Sequence, residues 1–172
     1  MAQVQSVDIP SPGSFYAQQR QSNWCWAACN QMVLNAVGIG ETQENQVVKL
    51  FGRLVDQGAG GNFQLAAQAL AGTYSTTNGR SVTVQPYVSY LSRRNPNDVF
   101  IILDHIRNGI PLVMATTMHG RVCVGVDYVQ SQQGVQITAF RLMDPAQAGS
   151  IFTVTIQEWL QTGMGFMTVN LQ

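Results

Sequence analysis

Gln19-Arg20-Gln21-Ser22-Asn23-Trp24-Cys25-Trp26-Ala27-Ala28-Cys29-Asn30 is the stretch that decides how the rest of the chain is organised. A cysteine stands between two tryptophans, with Ser and Asn before it and an apolar run after it. Ser22 or Asn23 can accept a hydrogen bond from the free amides of a starting helix, which predicts a helix beginning near Trp24. Cys25 then falls in the first turn, where the partial positive charge of the helix end favours thiolate over thiol. Residues 24–37 are apolar on nearly all sides, and Asn30, Gln31 and Asn35 share one arc of the wheel. Such a helix belongs in the middle of a domain rather than on its surface. Gly38 and Gly40 end it.

The composition bounds what this helix can serve. At 172 residues and 45% hydrophobic, the chain reads as one globular domain spanning residues 1–172. Net charge is zero and only 10% of residues are charged, so twenty glutamines and many Ser, Thr and Asn supply the polar surface. With no basic excess to neutralise phosphates, neither nucleic acid nor an anionic membrane is an expected partner. Residues 1–12 lack a basic start and an apolar core, so no Sec signal is visible. The most apolar run, residues 99–103, is far short of a membrane span. The expectation is a soluble chain, cytoplasmic or exported by a signal-less route. Its three cysteines are odd in number and too few for a disulfide framework, and are expected to be free.

Along the chain, residues 1–18 contain Pro10, Pro12 and Gly13 and read as an extended N-terminal arm. Residues 42–55 form a second helix, residues 56–61 a glycine-rich break, and Asn62 caps a short helix over 63–70. Residues 72–80 read as a loop and 81–90 as a strand interrupted by Pro86. Asn95-Pro96-Asn97-Asp98 starts a helix that runs to Asn108 and is closed by Gly109. The period then becomes extended: strands over 111–117, 120–129, 135–142 and 151–155, a short helix over 156–161, and a last strand over 165–170. Helices first and an antiparallel sheet after is the α+β class, a helical lobe with the cysteine-bearing helix packed on a sheet lobe.

A nucleophilic cysteine needs an imidazole brought to it by the fold, and there are two histidines. His105 lies within the helix before Gly109 and reads as a flank or cap residue. His119 stands where one apolar strand ends and the next begins, at a sheet edge open to solvent, and is the candidate base. Asp127 lies eight residues further along the same strand, about 26 Å away, and is excluded as its partner. Asp144 is better placed. If Ser131 faces Gly134 across the turn, His119 faces Ala146, and Asp144 lies two residues off that register, directly opposite after a slip of one residue. Pro145 ends the strand there, leaving the carboxylate at the edge that His119 occupies. For an oxyanion, the Cys25 amide is one donor and Gln18, Gln19 or Gln21 can supply the other.

With these residues assembled, the chain resembles a papain-like cysteine peptidase, most closely the bacterial C39-like group and the AvrRpt2-type (C70) effector proteases. The resemblance rests on Gln19, Trp24-Cys25-Trp26-Ala27-Ala28, Gly109-Ile110-Pro111 before an apolar strand, His119 opening the next strand, and Asp144-Pro145. It covers about residues 19–169 and implies a papain-like fold with a cleft between two lobes. It also implies a Cys25-His119-Asp144 triad and, from the six-residue spacing to the cysteine, Gln19 as the oxyanion amide. The implied activity is hydrolysis of a peptide bond in a protein or peptide substrate through an acyl-enzyme, with no cofactor and an effector role. Arg121 departs from the pattern, which usually has an apolar residue there, and is expected to alter the substrate-facing side of the site.

Three other readings compete. The same triad can deamidate glutamine or asparagine or transfer an amide, because the acyl-enzyme does not remember the amide it came from. Cys25, Cys29, His119 and Cys123 could together bind zinc, although strand positions four apart are about 13 Å from each other. An inactive papain-fold interaction module is the third, and the complete Cys, His, Asp and Gln set speaks against it. Neither the substrate nor the oligomeric state is legible.

Overall fold

The structure is a computed structural model that describes residues 3–59, 62–93 and 95–172. It is α+β: five helices and an antiparallel sheet of eight strands among the described residues. The strands are β1 Val4–Asp8, β2 Gly72–Ser75, β3 Ser81–Tyr90, β4 Leu112–Thr116, β5 Gly120–Ser131, β6 Gly134–Met143, β7 Ile151–Thr155 and β8 Gly163–Leu171. The helices are α1 Cys25–Ala36, α2 Gln43–Phe51, α3 Phe63–Leu70, α4 Asp98–Arg107 and α5 Ile156–Thr162. The sheet order is β2-β3-β8-β4-β5-β6-β7, with β1 also paired to β5.

The strand β5 sits at the centre. Its residues Val122, Cys123, Val124, Gly125 and Val126 are buried in succession, so both of its faces are covered. Helices α1 and α4 both pack on it. The expectation that α1 is a core helix is met: Ala27, Ala28, Cys29, Met32, Val33 and Leu34 have no exposed surface. One apolar cluster runs from Ile9 through α1, α3, α4 and the sheet to Val169.

Four expectations need correction. The N-terminal arm is not a free extension: Val4–Asp8 pairs with β5 residues Gly125 to Val129, and a 3-10 turn at Pro12–Phe15 buries Phe15. Arg141 holds the strand down, bonding Asp8, Asp127 and the Val7 carbonyl. Residues 72–80 are not all loop, because Gly72–Ser75 pairs with Ser81–Val84 as a hairpin that its short, polar sequence did not reveal. Pro86 does not interrupt β3, because β2 has already ended beside it and its missing N–H falls at a free strand edge. The second helix is shorter than the apolar pattern suggests: Thr42 caps it, Gly52 closes it at φ 73°, and Leu54 lies outside it, exposed. Of the glycine-rich break, Gly60 and Gly61 lie outside the described residues.

Among the described residues no helix is long and apolar enough to cross a membrane.

The β4 and β8 register shifts between Ala115 and Thr116, where Gly165 pairs with both Ala115 and Tyr90. A Cβ on Gly165 would run into the Ser89 carbonyl, which is rigid backbone. Replacing Gly165 by alanine is therefore expected to destabilise the fold by about 1–3 kcal/mol, to be measured by chemical denaturation.

Candidate active site

Cys25 is the first residue of α1. Neither Ser22 nor Asn23 caps the helix; the N-cap position is Trp24 and no side chain accepts from the first turn. Asn23 is engaged elsewhere, its N–H donating to Asp56 Oδ1 at 2.9 Å. The amides of the first turn are left uncapped beside the thiol, and the Trp26 N–H helps to lower its pKa. The two tryptophans that frame Cys25 are both buried, and their indole N–H groups donate to Val55 O at 2.8 Å and Gln57 O at 3.1 Å. They fasten the 55–57 loop to the first turn of α1.

His119 stands at the turn between β4 and β5, and Thr116 closes that turn. The Thr116 N–H donates to His119 O at 3.0 Å, and the His119 N–H donates to Thr116 Oγ1 at 3.2 Å. The first turn of α1 lies against Gly120, with the Cys29 sulfur 3.5 Å from where a Cβ would be. This close approach sets Cys25 beside His119: both line one cleft, and the imidazole lowers the pKa of the thiol.

Asp144 follows β6. Pairing begins at Ser131↔Gly134 as the turn predicts, and no net slip follows. Register shifts between Cys123 and Gly125 and between Asp127 and Tyr128 fall on opposite strands and cancel, so Val122 meets Met143. Asp144 is therefore diagonal to His119 rather than opposite it, and His119 Nε2 donates to Asp144 Oδ1 at 2.9 Å. That bond leaves Nδ1 for the thiol. Asp127 is engaged with Ser6 and Arg141, as its exclusion requires. His105 is held between Ile101 O at 2.8 Å and Val169 O at 3.2 Å, inside the fold.

The residue opposite Asp144 is Arg121, and its Nε donates to Asp144 Oδ2 at 3.0 Å. It does not line the cleft beside Cys25; its contact is with the carboxylate. Asp144 Oδ1 also accepts from the Ala146 N–H at 2.8 Å.

Gln19 lies on the segment that docks on the Asp-Pro turn: its N–H donates to Pro145 O at 3.0 Å, beside the Tyr16 hydroxyl at 3.1 Å. Its side-chain Nε2 donates to Gln21 O at 3.1 Å and Ser22 O at 3.2 Å, bracing the loop into α1. It does not line the cleft. The contact of residues 16–19 with Pro145 carries no sequence signal, since it is made between distant segments.

The cleft beside Cys25 and His119 has a volume of about 270 Å³. Trp26, Ala59, Phe63, Ala66, Val113 and Ala115 give it an apolar wall, and Met118, 88% exposed, stands at its rim. Cys29 and Cys123 are buried and free; the Cys123 thiol donates to Gly125 O at 3.3 Å. Among the described residues no group of three or more His, Cys, Asp or Glu is placed to hold a metal ion.

The electrostatics follow from these contacts. Burial pushes the Cys25 thiol up, but bonds from His119 and the Gly120 N–H outweigh it, so its pKa is lowered. His119 is raised, by the Cys25 bond first, against the opposing effect of burial, with Asp144 adding to the rise. Burial works against the Asp144 carboxylate as well, and the His119 and Ala146 donors overcome it, leaving the pKa lowered. Burial raises Cys29 far above the ordinary thiol range and Cys123 to about 12.

The chain belongs to the Peptidase_C39 like family, whose model matches residues 13–164. No curated protein matches the chain.

A thiol with a lowered pKa titrates early. Alkylation of Cys25 by iodoacetamide should show a midpoint below the ordinary thiol value of about 8.5. In His119→Ala the midpoint should return to or above that value, while Cys29 and Cys123 stay unlabelled in the folded protein; mass spectrometry of the labelled protein reads both.

Proposed function

We propose that the protein is a cysteine peptidase of papain-like architecture that hydrolyses a peptide bond through Cys25, His119, Asp144 and Gln19. The observation that carries this reading is that Cys25 and His119 line one cleft while His119 Nε2 is bonded to the buried Asp144 Oδ1 at 2.9 Å. The thiolate attacks the scissile carbonyl carbon, and His119 Nδ1–H protonates the departing amine. His119 then takes a proton from the water that hydrolyses the thioester. Asp144 holds the ring in the tautomer that aims Nδ1 at sulfur.

The oxyanion is held by the Cys25 N–H and by Gln19. The Gln19 acceptors, the carbonyls of Gln21 and Ser22, are neighbours in sequence, so one N–H can serve both and leave the other for the oxyanion. An extended peptide with an apolar residue beside the scissile bond suits the cleft wall, where His119 is the one titratable group apart from the nucleophile. The motif order resembles that of AvrRpt2-type effector proteases. An effector role agrees with a chain whose one lysine, Lys49, is bound by the Ala69 and Ala71 carbonyls.

Replacing Cys25 by alanine should lower turnover of a peptide library by about 10⁴-fold or more. Mass spectrometry of the products separates the readings: a cut supports the peptidase, and a gain of about one mass unit per amide without a cut supports a deamidase. Turnover undiminished in Cys25→Ala would end both. The pH profile should be a bell. Below the lowered Cys25 pKa the nucleophile is protonated, and above the raised His119 pKa the acid for the leaving amine is lost.

Replacing Gln19 by alanine should lower kcat by about 10²-fold with little change in KM, as expected for a donor that acts in the transition state. A change confined to KM would remove Gln19 from the oxyanion site.

A further inference from the structure

We propose that Arg121 is a positioning residue: its guanidinium balances the charge of the buried Asp144 carboxylate, so that Asp144 orients His119 without leaving the site with a net negative charge. Resting on the peptidase reading above, it assigns a role to the residue that departs from the pattern the motifs otherwise follow.

The Asp144 side chain is 2% exposed, so its charge is separated from water and must be met by the protein. Its oxygens are divided between two tasks. Oδ1 takes the His119 ring and the Ala146 N–H, and Oδ2 takes Arg121 Nε at 3.0 Å. The guanidinium is itself fixed, its carbon 5.2 Å from the centre of the Phe152 ring on β7. Stacking across β6 and hydrogen bonding to the strand end hold the cation in place.

The charge count shows what this does. In the reactive state the site holds a Cys25 thiolate, an imidazolium, the Asp144 carboxylate and the Arg121 cation, which sum to zero. Without Arg121 the same state carries one uncompensated negative charge beside the ring. The other titratable groups facing the carboxylate are Cys25 and Cys29 from α1 and Tyr16 from the N-terminal segment, besides His119 itself. None of the three can supply a positive charge. Arg121 is thus the one fixed cation in contact with Asp144 among the described residues. A fixed cation repels imidazolium, so its removal must make His119 harder to deprotonate.

The test uses the full chain and the imidazole resonances of its two histidines, with His105 as an internal control. Arg121→Gln keeps a hydrogen-bond donor and removes the charge. It should raise the His119 titration midpoint by about one pH unit. Arg121→Lys, which keeps the charge, should hold the midpoint near that of the unaltered protein. If Arg121→Gln does not fold, the charge-neutral pair Arg121→Gln/Asp144→Asn is compared with Asp144→Asn alone, and its His119 midpoint should be the higher by a similar amount. A His119 midpoint that is the same with and without the Arg121 charge overturns the proposal. The titration registers whether or not the protein turns over peptides. A shifted His119 in an inert protein would defeat the peptidase reading alone, and an unshifted His119 in an active one would defeat the role of Arg121 alone.

Discussion

A carboxylate with 2% of its side chain exposed sits between β6 and the turn that follows it, and much of the molecule is arranged to make that tolerable. Burying an ion that is not met by donors costs several kcal/mol. Asp144 is met by three: a ring nitrogen from the β4–β5 turn, an amide from its own Asp-Pro turn, and a guanidinium from β5. Each donor arrives by a different route. The β5–β6 hairpin carries Arg121 opposite and His119 diagonal; Pro145 bends the chain so that Ala146 points its N–H back. The N-terminal segment then covers the turn, with Tyr16 and Gln19 both bonded to the Pro145 carbonyl. The segment that leads to Cys25 is thus moored to the residue that follows Asp144.

The cysteine side of the site is built on the opposite economy, since a helix start is left open rather than filled. A Ser or Asn cap on α1 would satisfy the amides that otherwise face the sulfur. Instead Asn23 is drawn to Asp56, and the loop around it is fixed by two indole N–H bonds. Of these two tryptophans Trp26 also shapes the cleft wall, beside Ala59 and Phe63. Gly120 allows α1 to lie directly on the strand that His119 opens, which is how a helix residue and a turn residue 94 positions apart come into contact.

By itself, the sequence determined the element types and most of their limits. The apolar core of α1, the cap at Asn62 and the strands from β4 onward were readable because periodicity and turn chemistry are local. It also narrowed the candidate residues: with two histidines and a turn at 131–134, register alone put Asp144 near His119. Tertiary structure decided what depends on distant partners. Whether Val4–Asp8 and Gly72–Ser75 are strands depends on a neighbour to pair with, and neither segment carries enough apolar surface to announce it. That neither Ser22 nor Asn23 caps α1 is also a tertiary outcome, the Asn23 side-chain amide being turned to the Asp56 carbonyl 33 residues away. Two bulges on opposite strands cancel, so the register set at the 131–134 turn survives to the strand end and Arg121 rather than His119 lies opposite Asp144. Local chemistry selects elements and residue types; side-chain electrostatics are set by what folding brings within a few ångströms, and that is a property of the whole chain.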